Sequence, residues 1–333
     1  MIPLDPMTDM PAEAFAARRA ATFDALGHGV MVLPAARPLF RSRDTEVRYR
    51  PDSELFYLTG VVEAGAVAVL VGGADPKFVL FVPERDEDVE RWSGPRVGTD
   101  AAEERFGADE THPASDLEAL LPALFREGDF INERRGRAED VDRLVFDALR
   151  HARARGARRG TGPRGVIDPG EILDELRLIK DEHEIARIRR AVSLTVKGQL
   201  TGMSVARPGV GEWAVEASVN AAFRGGGAEG AGFETIVGSG PNACVLHYVE
   251  NRRTLGDGDL VLLDAGAEVG MYQGDVTRTF PANGRFTSEQ RAVYDVVERA
   301  RIAAVEAACP GAAVSAVHAA AVRVLIEGLV DLG

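Results

Sequence analysis

The sequence predicts an α/β protein of two lobes, and three observations carry that reading. Its 333 residues exceed one average domain. In the first half, short apolar runs bounded by Gly, Pro and Asp alternate with segments of helical spacing. The second half repeats the order helix, Pro-Gly, helix and adds strand-like runs of its own. With 45% hydrophobic and 27% charged residues, the composition is globular and excludes a disordered or fibrous chain.

Each element follows in order. Residues 12–26 (AEAFAARRAATFDAL) read as an opening helix. Strands are predicted over 30–33, 56–59, 66–71 and 78–82, helices over 117–125 and 140–155, and a further strand over 129–131. The acidic run 84–90 (ERDEDVE) reads as a solvated face. So do the ten arginines of 134–164, as a helix face followed by the loop RARGARRGTGPRG. The pattern breaks at Asp168-Pro169-Gly170, which sets the expected domains at 1–170 and 171–333.

After that break, a helix is predicted over 184–205, with Ile185, Ile188, Val192 and Val196 on one stripe. Asp181 and Glu184 form a capping pair at its start. Arg207-Pro208-Gly209 ends it, a second helix covers 212–223, and strands follow over 235–237, 260–264 and 271–280. Arg190-Ala191-Val192 and Pro208-Gly209 recur as Arg291-Ala292-Val293 and Pro310-Gly311, 101 and 102 residues later. Thr287 and Gln290 supply the capping pair of the second copy. In the first copy Asp264 lies 55 residues beyond Gly209; the same point after Gly311 falls past Gly333, so an incomplete second copy is expected.

The formal charge of −13 and pI near 5.1 repel phosphate backbones and anionic lipid, so neither a nucleic-acid nor a membrane partner is expected. Lys77, Lys180 and Lys197 are the three lysines; the arginine excess reads as compositional bias. Cys244 and Cys309 are too few for a disulfide framework and suit a reducing compartment. The opening MIPLDPMTDMPAEAF lacks the basic patch and apolar core of a secretory signal, and no apolar run is long enough to cross a bilayer. A soluble, cytoplasmic protein is expected.

Chemistry concentrates in 258–280, GDLVLLDAGAEVGMYQGDVTRTF. The apolar run 260–263 delivers Asp264 at a strand end, and after a Gly-rich turn Asp275 emerges on the neighbouring strand. Two carboxylates held that close repel, and a divalent cation between them removes the conflict. The alternative is that both aspartates cap turns beside Gly266 and Gly274, and spacing leaves the two readings open. His247 stands among Val245, Leu246 and Val249, where either a functional or a satisfied core histidine fits. Gly238-Ser239-Gly240 lacks the spacing of a nucleophile elbow, and the Gly-rich stretch 225–232 has neither the Lys-Ser/Thr of a P-loop nor a strand leading into it.

Several long segments resemble one family. TIVGSGPNACVLHYVEN, GDLVLLDAGAEVGMYQGDVTRTFPANGRFT and VLIEGLVDLG are similar to the bacterial Xaa-Pro aminopeptidases (aminopeptidase P), metallopeptidases of the pita-bread fold. RYRPDSELFYLTG and VPERDEDVERWSGPRVGTDAA resemble the amino-terminal domain of the same enzymes, so the likeness runs from about residue 40 to the end. The resemblance implies an amino-terminal α/β domain followed by a pita-bread catalytic domain. It further implies hydrolysis that releases the residue preceding proline, assisted by two divalent cations, manganese in this family, held by two Asp, one His and two Glu.

Carried onto this chain, the two aspartates are Asp264 and Asp275. His247 matches a catalytic histidine that contacts substrate and stabilises the reacting carbonyl. Phe233 matches an aromatic lining the substrate site, where core packing is the alternative, and Trp92 falls on a loop that in tetrameric members reaches a neighbouring subunit. The ligand His and both ligand Glu have no counterpart after Asp275, and His318 sits in an alanine-rich helical context that does not fit. The catalytic domain is therefore expected to be incomplete, whether as a fragment or a truncated product, and the 1–333 chain inactive alone. The expected partners are a peptide with an Xaa-Pro amino terminus and further copies of the chain in a dimer or tetramer. Two readings compete: a prolidase cleaving Xaa-Pro dipeptides, and a pita-bread binding protein without catalysis.

Overall fold

The computed structural model describes residues 10–126, 128–157 and 161–333. The opening residues 1–9 and positions 158–160 of the arginine-rich loop lie outside them. The chain forms two compact units, Met1–Ala186 and Arg187–Gly333. The turn at Asp168–Gly170 belongs to the first unit and leads into a helix whose Leu173 is buried in that unit's core.

The first unit runs α1 (Ala12–Leu26), β1 (Val30–Pro34), α2 (Ser53–Thr59), β2 (Val67–Val71), β3 (Lys77–Val82), α3 (Glu87–Ser93) and α4 (Gly98–Phe106). It continues through β4 (Glu110–Pro113), α5 (Leu117–Leu124), β5 (Ile131–Asn132), α6 (Glu139–Gly156), β6 (Val166–Ile167) and α7 (Gly170–Leu178). Six strands make one mixed sheet in the order β4-β3-β2-β1-β5-β6. The runs VMVL, VAVLV and FVLFV are apolar at every position because both faces of this sheet are covered. Met31, Leu33, Leu70 and Leu80 face Leu55, Leu58, Phe106 and Leu173 of the helices on one side. Val30, Val32, Val69 and Phe81 face Leu121 of α5, Phe125 at its C-cap, and Val145 and Leu149 of α6 on the other.

One predicted strand is a helix. Residues 56–59 carry aromatic and β-branched side chains, but Asp52 accepts hydrogen bonds from the Glu54 and Leu55 amides and starts α2, and Gly60, at φ 72°, stops it. Asp86 caps α3 in the same way, so the acidic run is the first turn of a helix that buries none of its residues. The strand expected over 129–131 is displaced to β5.

The helix α8 (Glu182–Val205) begins in the last residues of the first unit and runs into the second, which continues with α9 (Glu212–Gly225), β7 (Gly230–Ala231), β8 (Ile236–Ser239), β9 (Leu260–Ala265), β10 (Ala267–Val269), β11 (Tyr272–Gln273) and β12 (Val276–Pro281). The second unit closes with α10 (Ser288–Ala307) and α11 (Val314–Leu332). The strands form two three-stranded sheets, β12-β9-β8 and β11-β10-β7. Both capping pairs form: Asp181 with Glu184, and Thr287 with Gln290.

The apolar stripe of α8 does not face the core. Val192 and Val196 are 38% and 45% exposed, while Ala191, Thr195, Gly198 and Gln199 are buried. Small residues win that face because the helix lies close to its neighbours: a Cβ on Gly198 would stand 2.3 Å from the Phe223 ring, and one on Gly202 2.7 Å from Leu263. Thr195 accepts from the Ala267 amide at 2.9 Å, and the Gln199 amide donates to the carbonyls of Leu263 and Val276. The polar residues of α8 thus serve the backbone close to both aspartates, at Leu263, Ala267 and Val276.

Candidate metal and peptidase site

Asp264 is the fifth residue of β9, the middle strand of its sheet. Burial alternates along the strand: Val261, Leu263 and Ala265 enter the core, and Asp264 faces the other way. Its register partners are Thr277 on β12 and Ile236 on β8. Asp275 precedes Thr277 by two residues, so its side chain lies diagonally opposite Asp264, within reach on the same face. The predicted strand 271–280 is broken between β11 and β12, which leaves Asp275 at the opening of β12.

Glycine draws the two aspartates together. A Cβ on Gly266 would fall 1.8 Å from the Gly274 carbonyl oxygen, and one on Gly274 would fall 2.4 Å from the Thr195 hydroxyl. The loop between the aspartates is therefore pinched at its base, where the Gly274 amide donates to Ala267 O at 3.0 Å. Phe233 lies against the pinch, its ring 2.7 Å from where a Gly266 Cβ would stand.

Burial pushes the Asp264 carboxyl above its usual pKa, a hydrogen bond from Thr277 opposes this, and the charge of Asp275 adds to the rise. One Asp264 oxygen is buried with no hydrogen-bond partner among the described residues. His247 is near enough for its charge to act on Asp264. It is exposed, as are Val245, Leu246 and Val249, so the core reading of this histidine fails. Trp92, by contrast, belongs to the first unit, on α3, and is 93% exposed.

Comparison with known proteins places this geometry. Residues 186–332 match the model of metallopeptidase family M24, and residues 15–131 match that of the aminopeptidase P amino-terminal domain. The Xaa-Pro aminopeptidase of Escherichia coli (strain K12) is 38% identical over 330 residues, covering 98% of this chain and 75% of that protein. That of Haemophilus influenzae is 32% identical, covering 98% and 74%. The chain belongs to the aminopeptidase P family of M24 metallopeptidases. The solved structure of Pseudomonas aeruginosa aminopeptidase PepP superposes with a TM-score of 0.92 at 40% identity, covering 97% of this chain and 74% of that one. Zinc-substituted E. coli aminopeptidase P in complex with product gives 0.93 at 37%, covering 98% and 75%.

An aminopeptidase P chain thus has its amino-terminal domain in the first unit and its pita-bread M24 domain in the second. Metallopeptidases use divalent ions, and the residues here fit one in part. Two carboxylates, one with a buried oxygen that has no hydrogen-bond partner among the described residues, are the hard oxygen donors a divalent ion takes. Among the described residues no group of three or more His, Cys, Asp or Glu gathers to hold a metal, so this pair is only part of a ligand set. No helix among the described residues is long and apolar enough to cross a membrane.

The sequence reading missed the residue that organises the His247 loop. Glu212, the first residue of α9, is fully buried. It accepts from Ser239 N (2.8 Å), Ser239 Oγ (2.6 Å), Asn242 Nδ2 (3.3 Å), Tyr248 Oη (2.8 Å) and Arg253 N (2.8 Å). Burial pushes its pKa up, but the bonds from Ser239, Arg253 and Tyr248 outweigh this and leave it below the usual value. A glutamate opening a helix straight after a glycine was the only signal available in sequence.

Proposed function

We propose that this protein is a manganese-dependent Xaa-Pro aminopeptidase that removes the first residue of peptides with proline second. What supports the reading is the pair Asp264 and Asp275 on one face of a sheet whose other face is packed, with the exposed His247 near enough for its charge to act on Asp264. Asp264 and Asp275 would hold the cation, and their acceptor-only oxygens suit manganese. When bound, divalent cations supply Lewis acidity and lower the pKa of water. His247, exposed beside the pair, donates a hydrogen bond to the substrate carbonyl as negative charge develops on its oxygen. Phe233, against the Gly266–Gly274 pinch, offers an apolar wall to the proline ring. Trp92, an exposed aromatic, supplies a contact to another copy of the chain in a homo-oligomer. The reducing interior of the cell is its place.

The test, made on the full-length protein, compares hydrolysis of Ala-Pro-Ala, Ala-Ala-Ala and Ala-Pro with manganese added, and follows thermal unfolding with and without the ion. The expected result is preferred cleavage of Ala-Pro-Ala, and a manganese-induced rise in Tm that Asp264→Asn and Asp275→Asn abolish. Fastest turnover of Ala-Pro would make it a prolidase. A Tm indifferent to manganese, with turnover that survives chelation, would overturn the metal reading.

A further inference from the structure

We propose that Glu212 and Tyr248 are positioning residues that hold His247 over the Asp264–Asp275 face. This rests on the peptidase reading of that site. The loop between Ser239 and Arg253 carries His247 near its middle, and little of it is regular structure beyond the 3-10 turn Gly240–Cys244. A loop with Val245, Leu246, His247 and Val249 exposed has no apolar core to fix it. Its position is set by polar groups instead.

Glu212 binds the loop on both sides of the histidine. Oε1 takes Ser239 and Asn242, before it; Oε2 takes the Tyr248 hydroxyl and the Arg253 amide, after it. Tyr248 is the residue next to His247, and its hydroxyl in turn accepts from the Arg252 amide at 3.1 Å. One turn further along α9, Glu216 accepts from Asn251 at 2.9 Å. Asn251 is 1% exposed, holds a left-handed φ of 47°, and also bonds Val237 N and Thr235 O. Hydrogen bonds to an ionised, desolvated carboxylate are the strong kind, so the loop is clamped at both ends to the start of one helix.

The role proposed for these groups needs no contact with substrate. Their effect passes through the placement of His247, where a shift of about 1 Å is enough to cost up to roughly 10²-fold in rate. Tyr248→Phe is the sharp probe, because it deletes one hydroxyl and keeps the ring. Glu212→Gln is the severe one, because an amide would turn donors toward donors.

Five full-length proteins are compared: the parent, Tyr248→Phe, His247→Ala, their double variant and Glu212→Gln. Amide exchange is followed in 239–253 and in 260–265, and kcat and KM are measured on Ala-Pro-Ala with manganese. Tyr248→Phe should leave Tm and the exchange of 260–265 unchanged. It should speed exchange in 239–253 and lower kcat roughly tenfold with little change in KM, the size expected from one charge-assisted hydrogen bond. Added to His247→Ala, it should cost nothing more. Glu212→Gln should accelerate exchange at the Ser239 and Arg253 amides further still. Unchanged loop exchange in Tyr248→Phe, or a kcat loss that adds in full to that of His247→Ala, would overturn the proposal. A parent that cleaves no Xaa-Pro peptide would refute the peptidase reading alone, and loop exchange would then decide the positioning one.

Discussion

Gly266→Ala is expected to separate the two aspartates while leaving the protein folded. The added methyl group would sit 1.8 Å from the Gly274 carbonyl oxygen, a backbone atom that no rotamer change can remove, and 2.7 Å from the Phe233 ring. Restoring an ordinary contact takes a displacement of roughly 1.5 Å or more between the arms of the loop. Forced overpacking of this kind costs about 1–3 kcal/mol. The chemistry should suffer more, because Asp264 lies two residues before Gly266 and Asp275 directly follows Gly274. A shift of that size at a reacting centre is worth roughly 10²-fold. The assay sets thermal unfolding, manganese-induced stabilisation and Ala-Pro-Ala hydrolysis of the variant beside Gly225→Ala. Position 225 has no neighbour within 4 Å and no positive φ, so that control should be neutral. A Gly266→Ala protein that keeps the manganese response and turnover of the parent would show that the pinch does not set the site.

Two further outcomes concern the first unit. Glu133 is 2% exposed, and burial, aided by the charge of Asp142, pushes its pKa from 4.5 to about 7. The folded protein therefore keeps a proton that the unfolded chain has released across that window, so stability falls as pH rises through it. Glu133→Gln should recover about 3 kcal/mol at pH 8 and almost nothing at pH 4 in denaturant titrations; equal effects at both values would contradict the assignment. Arg18 is buried with its guanidinium 4.3 Å over the Tyr57 ring, 2.7 Å from Asp181 and 3.1 Å from Tyr57 O. Arg18→Met should cost about 1–3 kcal/mol, read as a lowered Tm, and an unchanged Tm would show that the pair with Asp181 contributes nothing.

Much of this was legible in sequence where one physical signal dominated. Runs such as VAVLV and FVLFV announce strands covered on both faces, and the repeated capping pairs fix the starts of α8 and α10. The aspartates were legible because a buried strand, a Gly-rich turn and a second strand leave few places for their side chains. Residues 56–59 misled because local propensity points to a strand while Asp52 and Gly60, outside the run, decide for a helix. The stripe of α8 misled for a different reason. Its packed face is chosen by how closely a helix can approach a sheet, so Gly198 and Gly202 outrank Val192 and Val196. Glu212 was invisible because its partners lie 27 to 41 residues away and two of them are backbone amides, which carry no residue identity.

Gln199 gives the site a second side. Its amide reaches Leu263 O and Val276 O, the carbonyl immediately before Asp264 and the one immediately after Asp275. It works as a calliper closed on the rear of the sheet, with one jaw beside each acid. The gap between the two acids is therefore written into a helix packed on the core side of their sheet. Changing residue 199 in length or polarity would retune that gap while leaving every group on the open face chemically intact.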